Sequence, residues 1–178
     1  MISTAGRGLG ILSMILIGSG AFAQSTSEST NRVAAKTDWS VFVEDDPTEC
    51  WAVSAPKKVV NTKEGRIVAV TRTDTLFSVT YRPTSGVKGE VSFTGGYPFA
   101  SGSTVSVKIG DSTYEFLTQG ENAWAKSTEE DARVIASMKR GASALVTGRS
   151  SRGTKTEDTF SLLGFTAALD EAAKRCGG

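Results

Sequence analysis

The sequence predicts a mostly β fold, and three observations support this prediction. Short runs rich in Val, Ile, Thr, Phe, Tyr and Trp recur from Asp38 onward, separated by Gly, Pro, Asp and Ser. Several of these runs alternate apolar and polar residues with a period of two, which is typical of half-buried strands. Only two segments, both in the carboxyl-terminal third, have helical spacing. We therefore expect many short strands with one or two short helices.

The strand pattern is clearest where two strands form a hairpin. In residues 104–109 every second residue is apolar, and a Gly-Asp turn leads into residues 112–117, where Tyr114 and Phe116 extend the same face. The predicted strands are 39–43, 50–55, 67–72, 76–82, 90–94, 104–109, 112–117, 123–126, 144–148 and 156–163.

Two helices are predicted near the carboxyl terminus. Residues 127–140 begin with Ser127 and Glu130, the pair that forms a capping box, and Gly141 ends the apolar stripe. Residues 166–175 form a second candidate, which lacks a strong cap.

The first 23 residues have the order of a cleavable secretory signal. One arginine precedes an apolar run at 9–17, and an Ala-Phe-Ala site follows, so cleavage is predicted between Ala23 and Gln24. The alternative is a membrane anchor, but an anchor needs about 20 apolar residues to cross the hydrocarbon core. We expect no integral membrane segment after cleavage.

The sequence predicts three parts, and the chain that remains after cleavage is predicted to be neutral. Residues 1–23 are the signal peptide, residues 24–37 a disordered polar tether with six Ser or Thr, and residues 38–178 a single β-sandwich domain. Removing residues 1–23 leaves 155 residues with 19 Lys or Arg and 19 Asp or Glu. A neutral balance argues against nucleic acid as a partner.

The cysteines predict a structural disulfide. Cys50 and Cys176 are the two cysteines of a chain predicted to enter an oxidising compartment, so we expect them to be bonded. The alternative, a redox pair of thiols, calls for a C-x-x-C neighbourhood or a lowered thiol pKa, and the sequence indicates neither.

Motifs for catalysis are weak. Ser54 and Lys57 satisfy the Ser-x-x-Lys pattern of penicillin-recognising enzymes, but the partner motifs are missing and Pro56 follows the predicted strand. Residues 148–156 come within one residue of a phosphate-binding loop, yet Thr154 replaces the required lysine and a strand follows. The alternative for this segment is a basic solvated turn.

The remaining chemistry is equally sparse. The chain has no histidine, and its acidic residues occur as neighbours at 44–46, 129–131 and 157–158, interpreted as a loop, a helix start and a solvated strand edge. No metal and no cofactor are predicted. The three tryptophans lie in predicted strands and are interpreted as core residues.

One loop and one turn are candidates for an interaction surface. Aromatic residues in the glycine-bounded segment 95–102 either anchor a partner or fold inward to close the sandwich, and the basic turn offers an anion-binding surface. The candidate interaction residues are Tyr97, Phe99, Arg149, Arg152 and Lys155.

Several motifs together resemble the invasion-associated locus B family of alphaproteobacteria. They are Asp38-Trp39, Glu49-Cys50, Gly96-Tyr97-Pro98-Phe99, Ala123-Trp124-Ala125, Met138-Lys139-Arg140-Gly141, Ser151-Arg152-Gly153-Thr154-Lys155-Thr156, Asp158-Thr159-Phe160-Ser161-Leu162, Gly164-Phe165-Thr166-Ala167-Ala168-Leu169 and Cys176. The resemblance implies an immunoglobulin-like antiparallel β-sandwich and export to the periplasm or the outer surface. In a blood-borne pathogen it also implies involvement in entering red cells. It supplies no catalytic residues, and only the two cysteines carry over, in a structural role.

Three functional hypotheses follow. The first is a non-enzymatic exported binding module of the cell envelope, whose partner is a protein or glycan of the envelope or of a host surface. The second is a periplasmic accessory or inhibitor protein for another envelope protein. The third is a serine hydrolase that uses Ser54 and Lys57. The sequence indicates no oligomeric state.

Overall fold

The computed structural model describes residues 31–46 and 48–176. The predicted signal peptide and residues 24–30 of the predicted tether lie outside this range. Within it, twelve strands, two α-helices and one short 3₁₀ turn follow in chain order. They are β1 (Arg32–Lys36), β2 (Trp39–Asp45), β3 (Thr48–Ser54), β4 (Lys58–Lys63), β5 (Arg66–Ile67), β6 (Leu76–Arg82), the 3₁₀ turn (Pro83–Ser85), β7 (Val87–Thr94), β8 (Thr104–Ile109), β9 (Ser112–Gln119), β10 (Asn122–Trp124), α1 (Thr128–Arg140), β11 (Ser143–Arg149), β12 (Lys155–Ser161) and α2 (Phe165–Arg175).

The strands form one antiparallel sheet that folds over on itself. Their order is β1-β2-β3-β6-β7-β10-β9-β8-β11-β12-β4-β5, so β1 and β5 are its edges. The two halves face each other across an apolar core, since the rings of Phe77 on β6 and Phe160 on β12 are 5.4 Å apart. The indole Nε1 of Trp39 on β2 also donates to the carbonyl of Ser161 on β12 at 2.9 Å. This confirms the predicted mostly β, sandwich-like fold.

The predicted hairpin is confirmed as β8 and β9. Val105 pairs with Phe116 and Val107 with Tyr114, so the apolar positions of both strands lie on one face. Val105, Val107 and Phe116 are fully buried. The alternation of the sequence therefore predicts the register, because a slip of one residue would move this whole face into solvent.

Helix α1 begins with the predicted Ser127 cap, but the Glu130 carboxylate reaches the residue before the cap instead of the Ser127 N–H that a capping box requires. The Glu130 N–H donates to the Ser127 hydroxyl at 3.3 Å, and the Glu130 carboxylate accepts from the Lys126 N–H at 2.9 Å. The Asp131 carboxylate accepts from the Val91 N–H on β7 at 2.8 Å, which joins the helix start to the sheet. Burial raises the pKa of Asp131 in spite of this bond.

Helix α2 and the predicted disulfide close the other side of β2 and β3. Cys50 on β3 is bonded to Cys176, with their Cα atoms 5.9 Å apart. Gly164, which precedes α2, has a φ of +89°, and a Cβ there would lie 1.8 Å from the Lys36 carbonyl oxygen. Only glycine fits this close approach of β1 to the helix start.

Among the described residues, no helix has the length and apolar character needed to span a membrane.

Two predicted boundaries are wrong. The tether prediction fails at Arg32–Lys36, which forms β1 and pairs with β2, because pairing with a buried strand overrides the polar composition. The strand predicted at 67–72 ends at Ile67, and β4 (Lys58–Lys63) takes the position beside β12 instead. Strand β4 begins and ends with lysine, so it lacks the alternation of apolar and polar residues that predicts a strand.

The prediction that all three tryptophans are core residues is also wrong for two of them. Trp39 is 1% exposed. Trp51 lies between Cys50 and Ala52, which are both fully buried, so its side chain points to the outer face, where it stacks on Phe42 at 6.2 Å. Trp124 likewise follows the buried Ala123 and is partly exposed. Strand alternation decides the face, whatever the residue type.

Candidate functional site

A cleft of about 500 Å³ opens at the end of the sandwich where β7 runs into the loop 95–99. We call this end the loop end, and the end that carries Cys50 and Cys176 the disulfide end. The cleft lies within the range of ligand pockets, which is about 300–1,000 Å³. Three segments and two single residues line it: the connection 69–72, the loop residues 96–98, the turn residues 150–152 and 154, Glu121 and Thr156.

The floor of the cleft is a buried ion pair. Both terminal guanidinium nitrogens of Arg72 bind the two carboxylate oxygens of Asp158 at 2.7 Å, and the side chains are 8% and 0% exposed. The Arg72 Nε donates to the carbonyl of Gly95 at 2.9 Å. This bidentate geometry ties the connection 69–72 to β12 and to the loop at the same time.

Tyr97 lies against this ion pair. Its ring is 5.0 Å from the Arg72 guanidinium, a cation–π contact, and its hydroxyl is 2.5 Å from the Thr156 hydroxyl. Burial raises the pKa of Tyr97, and the hydrogen bond with Thr156 opposes that shift. A Cβ on Gly148 would lie 2.6 Å from the Tyr97 hydroxyl oxygen, so a glycine on β11 makes room for this ring.

Phe99 fixes the loop to the core. It is 7% exposed, and its ring is 6.2 Å from that of Phe93 on β7 and 5.0 Å from that of Tyr97. It also forms a β-bridge with Ser150, and the Ser151 N–H donates to the Pro98 carbonyl at 2.9 Å. The Phe99 ring is therefore part of the scaffold, whereas Pro98 is exposed.

The basic turn is tight and hydrogen-bonded within itself. The Ser150 N–H donates to the Thr154 carbonyl at 2.9 Å, and the Thr154 N–H donates to the Ser150 hydroxyl at 3.1 Å. Strand β12 follows it, not the helix that a phosphate-binding loop requires. The segment is thus a turn between β11 and β12 that presents Arg152 to solvent.

The structure separates the five candidate interaction residues. Tyr97 and Arg152 line the cleft. Arg149 and Lys155 pair with each other across β11 and β12 and line a shallow groove on the outer face, where Lys155 binds Glu157 at 2.9 Å. Phe99 lies inside the core, as described above.

Arg72 and Asp158 are residues of the candidate site that the sequence did not predict. The interpretation of 157–158 as a solvated strand edge is wrong for Asp158, which is fully buried. The sequence does contain a signal that Asp158 points inward, since Thr156, Asp158 and Phe160 occupy alternate positions and share the inward face of β12. The partner is not predictable from this pattern, because Arg72 lies 86 residues away in the chain.

The Ser-x-x-Lys residues are engaged elsewhere. Ser54 is 4% exposed, and its hydroxyl donates to the Asp38 carbonyl at 2.7 Å. The Lys57 ammonium binds the Asp38 carboxylate at 2.6 Å, and the hydrogen bond from Lys57 holds the pKa of Asp38 below its usual value. Ser54 ends β3 and opens no helix. Among the described residues, no group of three or more Cys, Asp or Glu is placed to hold a metal ion.

Fold and site together define a disulfide-closed antiparallel β-sandwich with a cleft at the end away from the disulfide. The chain belongs to the invasion associated locus B (IalB) protein family, whose sequence profile matches residues 39–173. This confirms the family resemblance of the sequence motifs.

The comparison with solved structures agrees with the fold. The chain is similar to the crystal structure of invasion associated protein B from Bartonella henselae, with a TM-score of 0.53 and 13% sequence identity. The match covers 79% of this chain and 95% of that chain. At this identity the likeness concerns the fold. No curated protein matches the sequence.

Proposed function

We propose that this protein is an exported binding module of the cell envelope and that the cleft at the loop end is its binding surface. The observation that carries the proposal is the buried Arg72–Asp158 pair. A buried ion pair adds little or nothing to stability compared with apolar residues of similar volume, because desolvation offsets the attraction. Its effect here is to hold the connection 69–72, the loop 95–99 and β12 in one fixed arrangement around the cleft.

The cleft surface suits binding better than chemistry. It offers hydroxyl groups of Ser and Thr, the edge of Tyr97, the exposed Pro98 and the charges of Glu121 and Arg152. Most of these groups are polar, so the cleft can bind a partner through hydrogen bonds and charge, with Tyr97 and Pro98 as contact area. The rival hydrolase hypothesis depends on Ser54 and Lys57, whose polar groups are bound to Asp38.

Export is the second part of the proposal. The disulfide and the family membership are consistent with an exported protein. We propose cleavage between Ala23 and Gln24 and residence in the periplasm or on the outer surface. Mass spectrometry of the protein from envelope fractions tests this: a chain that begins at Gln24 supports the proposal, and an uncleaved chain recovered from the cytoplasm contradicts it.

The partner is proposed to be a protein or glycan of the envelope or of a host surface, and affinity capture tests the cleft as its binding site. The bait is the disulfide-bonded protein, with bacterial envelope extract and host-cell membranes as parallel sources. A Ser151→Trp bait fills the cleft, and a Ser85→Trp bait carries the same change at the exposed 3₁₀ turn of the disulfide end.

A partner retained by the wild-type and Ser85→Trp baits, and lost from the Ser151→Trp bait, supports the cleft. Equal capture by all three baits contradicts it. The source of the partner then decides between roles. A host membrane component favours a contribution to host-cell invasion, whereas a bacterial envelope protein favours the accessory or inhibitor role.

A further inference from the structure

The connection 69–72 is a piece of backbone without hydrogen bonds. Val68 still donates to the Asn61 carbonyl at 2.9 Å, and Thr73 donates to the Gly96 carbonyl at 3.1 Å. Between them, no backbone N–H or C=O of the four residues has a partner in the described part of the chain. Backbone groups in this state bind water or another strand.

This segment continues the edge of the sheet. It follows β5, the last strand in the sheet order, which pairs on one side with β4 only. Ile67 is 82% exposed and Val70 is 42% exposed, so apolar side chains flank the unpaired backbone. Native proteins commonly protect such edges, because an exposed edge is a template for pairing with another chain.

The cleft lies directly beside the unpaired backbone. Residues 69–72 and the turn residues 150–152 and 154 all line it. A peptide in the cleft would therefore have main-chain partners on one side, with hydroxyl groups and the exposed Pro98 within reach of its side chains.

The charges around the cleft favour an acidic peptide. Arg152 in the turn lines the cleft and is exposed, and Arg66 on β5 is exposed close to the connection 69–72 in the chain. Neither has a carboxylate partner among residues 31–46 and 48–176. Glu121 is the acidic group on the cleft wall, and it accepts a hydrogen bond from the Thr73 hydroxyl at 3.4 Å. Of the charged side chains that line the cleft, Arg152 is thus the one without a partner in the described part of the chain, since Arg72 is bound to Asp158. The exposed carboxylates of Glu64 and Asp74 are not part of the cleft lining.

We infer that the cleft binds an extended, acidic peptide segment of a partner protein by strand addition to residues 69–72. Main-chain hydrogen bonds to the connection would supply affinity, as in other complexes formed by strand addition. Alternate side chains of the peptide would enter the cleft, where Arg152 would bind a carboxylate. This inference rests on the proposed function and names the kind of partner that the cleft takes.

The probe is a random peptide library displayed on phage, selected on the disulfide-bonded wild-type protein and on the Ser151→Trp variant. Peptides specific for the wild type should be enriched in Asp and Glu. The best peptide is then synthesised with single N-methyl groups along its length. In an added strand alternate N–H groups point to the protein, so methylation should weaken binding about tenfold or more at every second position and little at the others.

Two further readouts locate the peptide. Its binding should slow amide hydrogen exchange within residues 69–72. The variant Arg152→Glu should weaken binding of the acidic peptide about tenfold, whereas Arg133→Glu, an exposed change on α1, should leave it unchanged. Uniform tolerance of N-methylation, or unchanged exchange at 69–72, overturns strand addition, and equal binding by Arg152→Glu overturns the acidic preference.

The outcome is separable from that of the proposed function. If affinity capture finds a partner that the Ser151→Trp change removes, while the library yields no peptide specific for the wild type, the cleft is a binding site but strand addition is wrong. If both experiments show no dependence on Ser151→Trp, the proposed binding surface itself is wrong.

Discussion

The disulfide end and the loop end of this sandwich are held together by different forces. At the disulfide end, Cys50 and Cys176 are covalently bonded, and the α2 helix that leads to Cys176 buries Ala168 and Ala172 against the sheet. At the loop end, an ion pair, a tyrosine hydroxyl and a cation–π contact hold three chain segments around an open cleft. Apolar burial is non-directional, and the disulfide stabilises mainly by restricting the unfolded chain, whereas hydrogen-bonded charges fix direction with little net stabilisation.

The difference indicates a division of roles. Most of the free energy of folding should come from the core and the disulfide end, and the geometry of the proposed binding surface should come from the polar contacts of the loop end. Removing the disulfide should destabilise the whole fold. At the loop end, breaking one partner of the ion pair should also destabilise the fold, whereas replacing both partners by apolar residues should change local order and binding with little global loss. Each of the following predictions tests this division.

The largest effect is expected at the disulfide end. Replacing both Cys50 and Cys176 by Ala removes a link across 126 residues, and the chain-entropy model values such a link at about 5 kcal/mol. The melting temperature should fall by roughly 10–20 °C for a domain of this size. Calorimetry of the variant and of the reduced wild type checks this. A shift of less than a few degrees in both would show that the disulfide is not a main source of stability.

Asp158→Asn should lower the free energy of unfolding nearly as much, although it only replaces one carboxylate oxygen by an amide nitrogen. It leaves the Arg72 guanidinium buried without its counter-charge, which typically costs about 3–5 kcal/mol. Urea unfolding measures the loss. The neighbouring Glu157→Gln is the control, since its ion pair with the exposed Lys155 should be worth less than ~1 kcal/mol. Similar losses in the two variants would contradict a special role for Asp158.

A smaller effect is expected from Gly148→Ala. The added methyl group would lie 2.6 Å from the Tyr97 hydroxyl oxygen and 3.0 Å from a ring carbon of Phe99, and overpacking of this kind costs about 1–3 kcal/mol. Tyr97→Phe in the same chain removes the hydroxyl and should restore part of the loss. A double-mutant cycle from urea unfolding measures this coupling, and strictly additive losses would show that the two side chains do not meet.

The smallest effect is expected from alkaline pH. Burial raises the pKa of Tyr97 above its ordinary 10.0, so the folded state holds this proton more tightly than the unfolded state does. The resulting stabilisation is complete below pH 10 and is lost as the pH rises through the folded-state pKa. Tyr97→Phe should flatten the decline in unfolding free energy above pH 10. Because burial also raises the pKa of Tyr81 at the disulfide end, some decline should persist.

The sequence predicts local features better than long-range ones. The β8–β9 hairpin follows from alternation and a Gly-Asp turn, and α1 follows from its Ser127 cap, since each signal lies within a few residues. Strand β1 depends on main-chain pairing with β2, and no local rule reveals that pairing. The residue type of Trp51 and Trp124 predicts core positions, but strand alternation beside buried neighbours places them on the outer face.

The candidate site follows the same rule. Tyr97 and Arg152 could be selected from the sequence, since an aromatic beside a proline and an arginine in a turn are local signals. Arg72 and Asp158 could not be paired, because their contact depends on how two distant segments meet. Alternation along β12 does place Asp158 on the inward face, and a buried carboxylate on a core strand implies a cationic partner somewhere in the chain.

Amide hydrogen exchange of the double variant Arg72→Met/Asp158→Leu tests the division of roles most directly. Replacing both charges by apolar residues removes the ion pair without leaving a buried charge, so the global unfolding free energy should stay within about 1 kcal/mol of the wild type or rise. Exchange in the loop 95–99 and the connection 69–72 should nevertheless become about tenfold faster or more, while the strands around Cys50 keep their protection. Unchanged exchange in both loop-end segments would show that the ion pair does not hold the cleft.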